Sequence, residues 1–146
     1  EQHESGWGTL TAVRDLQQGE HLRVPSTTLD DFCSHAAVGR LDAMKIDAEG
    51  SELSILRGAR TTLARFRPAI IMEINGILLQ QGGTTPGEIV DFLTAQDYRL
   101  YALSWKCIER WNGRKQAGFA EALCIPELKA AATLASLNSR GFEILE

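Results

Sequence analysis

Cysteine is scarce in this chain. Cys33, Cys107 and Cys124 are odd in number and widely spaced. Such a set builds neither a disulfide framework nor a zinc-ligand pattern, so reduced, mostly buried thiols in a cytosolic (cytoplasmic) protein are expected. No apolar run approaches the roughly 20 residues that a membrane helix needs, and no membrane partner is expected. No charged start leads into a short apolar core, the mark of a secretory leader. Positive charge is not in excess either: 15 Lys and Arg stand against 19 Asp and Glu, a formal net charge of -4. A nucleic-acid-binding surface is normally basic, so no nucleic-acid partner is expected. The densest basic group, Arg57, Arg60, Arg65 and Arg67, reads as a solvated helix face. Internal repeats and low-complexity segments are lacking. What remains is 146 residues, 44% hydrophobic and 23% charged, the profile of one globular domain over residues 1–146.

The most informative stretch is Ala43-Met44-Lys45-Ile46-Asp47-Ala48-Glu49-Gly50-Ser51-Glu52-Leu53. A short apolar run ends in two carboxylates, a glycine follows, and a helical pattern begins. That is the form of a buried parallel strand, here Leu41–Ile46, delivering acids to the ligand edge of an α/β sheet. In open α/β sheets, ligands bind just outside the carboxyl ends of the strands. Asp47 and Glu49 are therefore the first candidates for function.

Helical and extended patterns alternate along the rest of the chain. Residues 1–25 are polar and glycine-spotted, with short strands expected at Thr9–Val13 and Leu22–Val24 around a turn at Gln17–Glu20. Thr28 reads as an N-cap, with Leu29, Phe32, Cys33 and Ala36 on one helix face, Asp30 and Asp31 in the first turn, and Gly39 as the end. A single helix is expected from Ser51 to about Arg65, with Gly58 inside it. Ala69–Ile74 reads as a strand buried on both faces. Gly82-Gly83 marks a mobile loop within Asn75–Thr84, either a substrate lid or a plain connection. Thr85-Pro86-Gly87-Glu88 is a capping box opening a helix that buries Ile89, Phe92 and Leu93. Strands follow at Tyr98–Leu103, Trp105–Trp111 with a turn at Asn112-Gly113, and Ala122–Ile125. A helix over Glu127–Leu137 and a short tail close the chain. The alternation predicts an α/β class with a mostly parallel sheet.

Four segments in register resemble the FkbM-type methyltransferases. They are Thr28-Leu29-Asp30-Asp31-Phe32, Lys45-Ile46-Asp47-Ala48-Glu49-Gly50-Ser51-Glu52-Leu53, Leu56-Arg57-Gly58-Ala59 and Arg67-Pro68-Ala69-Ile70-Ile71-Met72-Glu73-Ile74. The family pattern is a "tLDdl" helix, a "KIDvEGxE" strand end, an "LkGa" helix and an "rPxiixE" strand, and the likeness spans roughly residues 20–126. The resemblance implies a class I, Rossmann-like fold that uses S-adenosyl-L-methionine to O-methylate a hydroxyl of a sugar, polyketide or similar metabolite. It also implies a glycine-rich turn after strand one and a ribose-binding acid after strand two, and neither feature is matched. Residues 1–25 instead resemble the segment after strand three. The expectation is a truncated class I sheet, the C-terminal part of a methyltransferase domain that lacks its N-terminal cofactor-binding strands and is inactive alone. In the class I order strand four lies between strands one and five. Leu41–Ile46 would then be an open, apolar edge prone to self-association.

Methyl transfer to a hydroxyl needs a group to orient that hydroxyl and take its proton, and a carboxylate can do both. Asp47 is expected to face the cofactor's methionine end or the substrate hydroxyl, and Glu49 to act as base. The structural alternative is that Asp47 orders its loop and Glu49 favours the next helix start. Lys45, unusual in a buried strand, is expected to pair as scaffold with Glu73 or Asp47. Glu73 and Asn75, on the neighbouring strand end, are candidate substrate-binding residues. With Asp47 they would also suit a hard divalent cation, although no metal is expected. His3, His21 and His35 share no ligand spacing. Trp105 and Trp111 read as core or cover residues, with an acceptor pocket as the alternative. Two other functional readings stay open: a non-catalytic α/β interaction domain using its sheet edge, and a metal-assisted O-methyltransferase.

Overall fold

A computed structural model describes residues 25–112 and 119–145. The readings made for residues 1–24, including both expected strands, and for Gly113 of the turn lie outside the described residues.

Helix α1 (Leu29–His35) starts at Thr28, whose hydroxyl accepts the Asp31 N–H at 3.0 Å. It ends at Ala36 rather than Gly39, because Ala37 takes the left-handed turn (φ 50°) expected of that glycine. Strand β1 (Ala43–Ile46) runs parallel to β2 (Ala69–Asn75), with Ala43 opposite Ala69 and Ile46 opposite Met72. Between them the single expected helix is two helices, α2 (Glu52–Arg57) and α3 (Arg60–Phe66). The break has a tertiary cause. The Gly58 carbonyl accepts the Asp30 N–H at 2.9 Å, and a Cβ on Gly58 would lie 3.3 Å from the Thr28 side chain. Helix α1 thus seats its first turn in the gap, where glycine is the poorest helix former short of proline.

The expected loop after β2 is helix α4 (Gly76–Gln81), which buries Leu79. Helix α5 (Pro86–Thr94) opens with the expected capping box, Thr85 and Glu88 each bonding the other's backbone N–H. Strand β3 (Tyr98–Ser104) turns back through Trp105 and Lys106 into β4 (Cys107–Arg110). Strand β5 (Phe119–Pro126), helix α6 (Glu127–Ser139) and strand β6 (Glu143–Leu145) complete the described chain. The expected closing helix is two residues longer, and the tail holds a strand that the sequence did not suggest.

The sheet order is β1-β2-β5-β3-β4-β6. The sheet is mixed, not mostly parallel. Strand β4 folds back from β3 as a hairpin, and β5 enters between β2 and β3 antiparallel to both. Among the described residues, only β1 with β2 and β4 with β6 are parallel.

Two cores lie on opposite faces. Leu53, Leu56 and Leu63 from α2 and α3 pack with Ile70, Met72 and Ile74 of β2 and with Ile89 and Leu93 of α5. On the other face Tyr101, Ile108, Leu123 and Ile125 pack against Ala130 and Leu134 of α6. Strand β2 was expected to be covered on both faces, yet Ile71 is 43% exposed. Helix α6 packs on β5, β3 and β6, which leaves this end of the second face open. Strand β1 is likewise less buried than expected. Only Ile46 is fully enclosed, because β1 is terminal in the sheet and pairs on one side among the described residues.

Candidate functional site

The site begins where β1 ends. The Asp42 carbonyl accepts the Ala69 N–H at 2.8 Å, so even-numbered residues of β1 turn their backbone groups toward β2. By alternation the N–H and C=O of Ala43 and Lys45 point to the sheet edge. The Lys45 side chain is 63% exposed, not buried, and its ammonium donates to Asp47 Oδ2 at 2.8 Å. Of the two expected partners for Lys45, the hydrogen bond is with Asp47, an exposed pair that contributes little stability.

Asp47 leads into a tight turn. The Ser51 N–H bonds back to the Ala48 carbonyl at 3.1 Å, Glu49 sits at φ 49° and Gly50 at φ 99°. The turn is wedged between helices. A Cβ on Gly50 would lie 2.5 Å from the Leu78 carbonyl oxygen of α4, and one on Gly82 would lie 2.8 Å from the Gly50 oxygen. Only glycine allows both that φ and that approach.

Glu52, at the start of α2, was quoted in the sequence motif but given no role. Its residue is 2% exposed. Oε1 accepts the N–H of Ala48 at 3.1 Å and of Gly50 at 3.2 Å, while Oε2 is buried without a hydrogen-bond partner. The available signal was an acid in a first helical turn behind Gly-Ser, the kind that reaches back to loop N–H groups. Asp30 was also missed. Its carboxylate accepts the N–H groups of Thr61 and Thr62 at the start of α3.

Glu73 lies half-buried on β2 directly opposite Glu121 of β5. Its carboxyl is held above the ordinary range, first by burial, then by the negative charges of Asp47 and Glu49. Lys45 opposes this and Glu121 adds to it. Asp47, Glu49 and Glu73 therefore share one field, negative overall, at the end of the parallel pair. Such a group favours a bound cation and can accept a proton. The Asn75 side-chain oxygen is already engaged, accepting from the Ile77 and Leu78 N–H groups as the cap of α4. That cap turns the expected loop into a helix.

Other candidates lie elsewhere. His35 Nδ1 is 2.7 Å from the Asp31 carbonyl in its own helix. Trp105 is 91% exposed at the β3–β4 turn, and Trp111 is buried in the first core. Cys33 and Cys124 are buried free thiols, Cys107 a half-buried one, and burial pushes the Cys124 thiol up to about 12. Among the described residues, no three His, Cys, Asp or Glu side chains gather as a metal site, and no helix is long and apolar enough to cross a membrane. Two grooves flank the acidic turn. One of about 790 Å³ runs past Phe32, Ser51, Ser54 and Gly58. The other, of about 330 Å³, follows β1 past Leu41, Met44 and Ile46.

Comparison with known proteins adds one match. The family model described as the methyltransferase FkbM domain matches residues 3–100. No curated protein and no solved structure matches the chain.

Proposed function

Because the chain belongs to the FkbM methyltransferase family, we propose that its acidic turn serves S-adenosyl-L-methionine-dependent methylation of a hydroxyl on a sugar, polyketide or similar small acceptor. The single observation that carries this reading is the meeting of Asp47, Glu49 and Glu73 at the end of β1 and β2, where burial first and the charges of Asp47 and Glu49 next raise the Glu73 carboxyl. The pairing of β1 with β2 accords with the class I, Rossmann-like order, in which these would be strands four and five.

The cofactor supplies an electrophilic methyl group on a sulfonium. Its positive charges suit a site in which Asp47, Glu49 and Glu121 act on Glu73 against Lys45. Asp47, partly exposed and steadied by Lys45, would hold the cofactor's cationic methionine end or orient the acceptor hydroxyl. Glu49 would take the proton released as that oxygen is methylated. Glu73, with its proton affinity raised, would hydrogen-bond the acceptor beside it. Asn75 would reach substrate only through its amide nitrogen, since its oxygen caps α4. We place the enzyme in the cytosol, consistent with its free thiols.

Titration calorimetry with S-adenosylmethionine, with and without magnesium, tests the reading. Because the family's glycine-rich turn and ribose-binding acid are not matched here, weak binding independent of magnesium is expected, lowered a further factor of about ten by Asp47→Asn, which corresponds to about 1.4 kcal/mol. Binding that requires magnesium would favour the metal-assisted alternative. No binding by the wild-type chain would leave a second reading, a module that acts by association. The feature that favours it is the outer edge of β1, with Ala43 and Lys45 presenting backbone groups beside an apolar groove. Sedimentation across a hundredfold concentration range would then show self-association, whereas a constant monomer mass would exclude it for two copies of this chain.

A further inference from the structure

We infer that Glu52 is the positioning residue of this site: a buried acceptor that shapes the Asp47–Gly50 turn and thereby sets where Asp47 and Glu49 stand. The inference rests on the reading of the turn as the reacting edge, and it concerns a side chain that need not touch any ligand.

The turn makes demands that local sequence cannot meet. It holds two successive residues, Glu49 and Gly50, at positive φ. Glu49 carries a Cβ, so its conformation is strained and must be imposed by surroundings. The Ala48 and Gly50 N–H groups need acceptors as the chain leaves the sheet. One oxygen of Glu52 meets both, at 3.1 and 3.2 Å, and draws the ends of the strained segment onto a single point. A carboxylate is an acceptor with several lone-pair sites, so Oε1 can serve two donors at once. The cost is visible in the same residue. Glu52 is 2% exposed and Oε2 has no partner, a burial that solvent-facing placement would avoid. The turn is also packed closely against α4, where a Cβ on Gly50 would lie 2.5 Å from the Leu78 carbonyl oxygen. Glu52 from α2 and Leu78 from α4 hold the turn as two jaws.

Glu73 reports whether the jaws work. Its carboxyl is raised first by burial and next by the charges of Asp47 and Glu49, so a turn that moves changes the second part while leaving Glu73 in its place on β2. Removing Glu52 should change Glu73 only by letting the turn move.

The experiment uses the whole chain and four variants, Glu52→Gln, Glu52→Asp, Glu52→Leu and, as a control in the other core, Leu134→Ala. Amide hydrogen exchange at Ala48 and Gly50 and the carboxyl titration of Glu73 are followed by NMR, and S-adenosylhomocysteine binding by calorimetry. Glu52→Leu is expected to speed exchange at both amides at least tenfold, to bring the Glu73 midpoint down toward the ordinary range, and to weaken binding at least tenfold. Glu52→Gln, which keeps the shared oxygen, should leave all three within threefold of wild type or its equivalent in pH. Should Glu52→Leu not fold, Glu52→Asp, one methylene short, carries the same expectations in smaller measure. Unchanged exchange and an unchanged Glu73 midpoint in Glu52→Leu or Glu52→Asp would overturn the inference. So would a Gln variant as perturbed as Leu, or the same changes in Leu134→Ala. If the wild-type chain binds no S-adenosylhomocysteine, the cofactor reading fails, while exchange and titration still decide the role of Glu52.

Discussion

Asp30 caps a helix that it does not belong to: its carboxylate accepts the Thr62 N–H at 2.7 Å, with Thr61 at 3.0 Å beside it. Ala59, at the cap position of α3, offers no side-chain bond of its own. One acid thus ties the first turn of α1 to the start of α3, across the break at Gly58.

Asp30→Ala should therefore cost about 1–2 kcal/mol, the usual loss for a cap, read by urea denaturation at pH 7. The pH dependence follows. Burial raises the Asp30 carboxyl, but the hydrogen bonds from Thr61 and Thr62 outweigh it and leave the group below its ordinary 3.8. The folded value is depressed, so the contribution is complete above the unfolded carboxylate range. It fades as pH falls through the folded value. The gap in melting temperature between wild type and Asp30→Ala should narrow as pH falls from 7 through the carboxylate range, and a gap that widens toward low pH would contradict the cap.

Gly50→Ala and Gly83→Ala separate strain from crowding. Both glycines have positive φ, but a Cβ at Gly50 meets Leu78 at 2.5 Å, whereas Gly83 has open space. Gly83→Ala should cost about 1 kcal/mol, the conformational part alone. Gly50→Ala should exceed it by about 1–3 kcal/mol, as overpacking does. Equal denaturation midpoints would mean that the turn is not wedged.

What the sequence made legible was local. The Thr85 capping box, the Thr28 cap, β2 and the buried half of β5 all follow from neighbours a few residues apart. The break at Gly58 was not legible, because its cause, Asp30, lies on another helix. Helix α4 was hidden by Gly76 and Gly82, which read as loop until the Asn75 side chain caps the first turn. Lys45 was misplaced because an edge strand and a buried one share the same short apolar pattern. Asp47 and Glu49 could be located from the strand-to-helix junction. Glu52 could not be separated from an ordinary first-turn acid until its burial and its two loop donors were known.

Tyr98 offers an alkaline counterpart to Asp30. Its hydroxyl donates to the Pro68 carbonyl at 3.0 Å, and burial pushes the phenol from 10.0 up to about 12. A folded value above the unfolded one means stability that is complete below pH 10 and lost as pH rises toward 12. Tyr98→Phe should lose about 1 kcal/mol at pH 7 for the missing hydrogen bond. Its stability should then fall less steeply than wild type between pH 10 and 12, followed by circular dichroism.

The two described tryptophans should behave oppositely. Trp105→Ser, at a 91% exposed turn position, should stay within about 0.5 kcal/mol of wild type. Trp111→Ala empties part of the first core and should cost about 3–5 kcal/mol in thermal or urea unfolding.

Among the described residues, the acidic turn hangs from the outermost rung of its sheet. Any strand that zips onto β1 would dock at Lys45, two positions from Asp47, and would stiffen the same backbone that carries the carboxylates proposed to react. Assembly along that rim and the chemistry beside it would then be mechanically one event, so that a companion strand could switch the site by touching nothing but main chain.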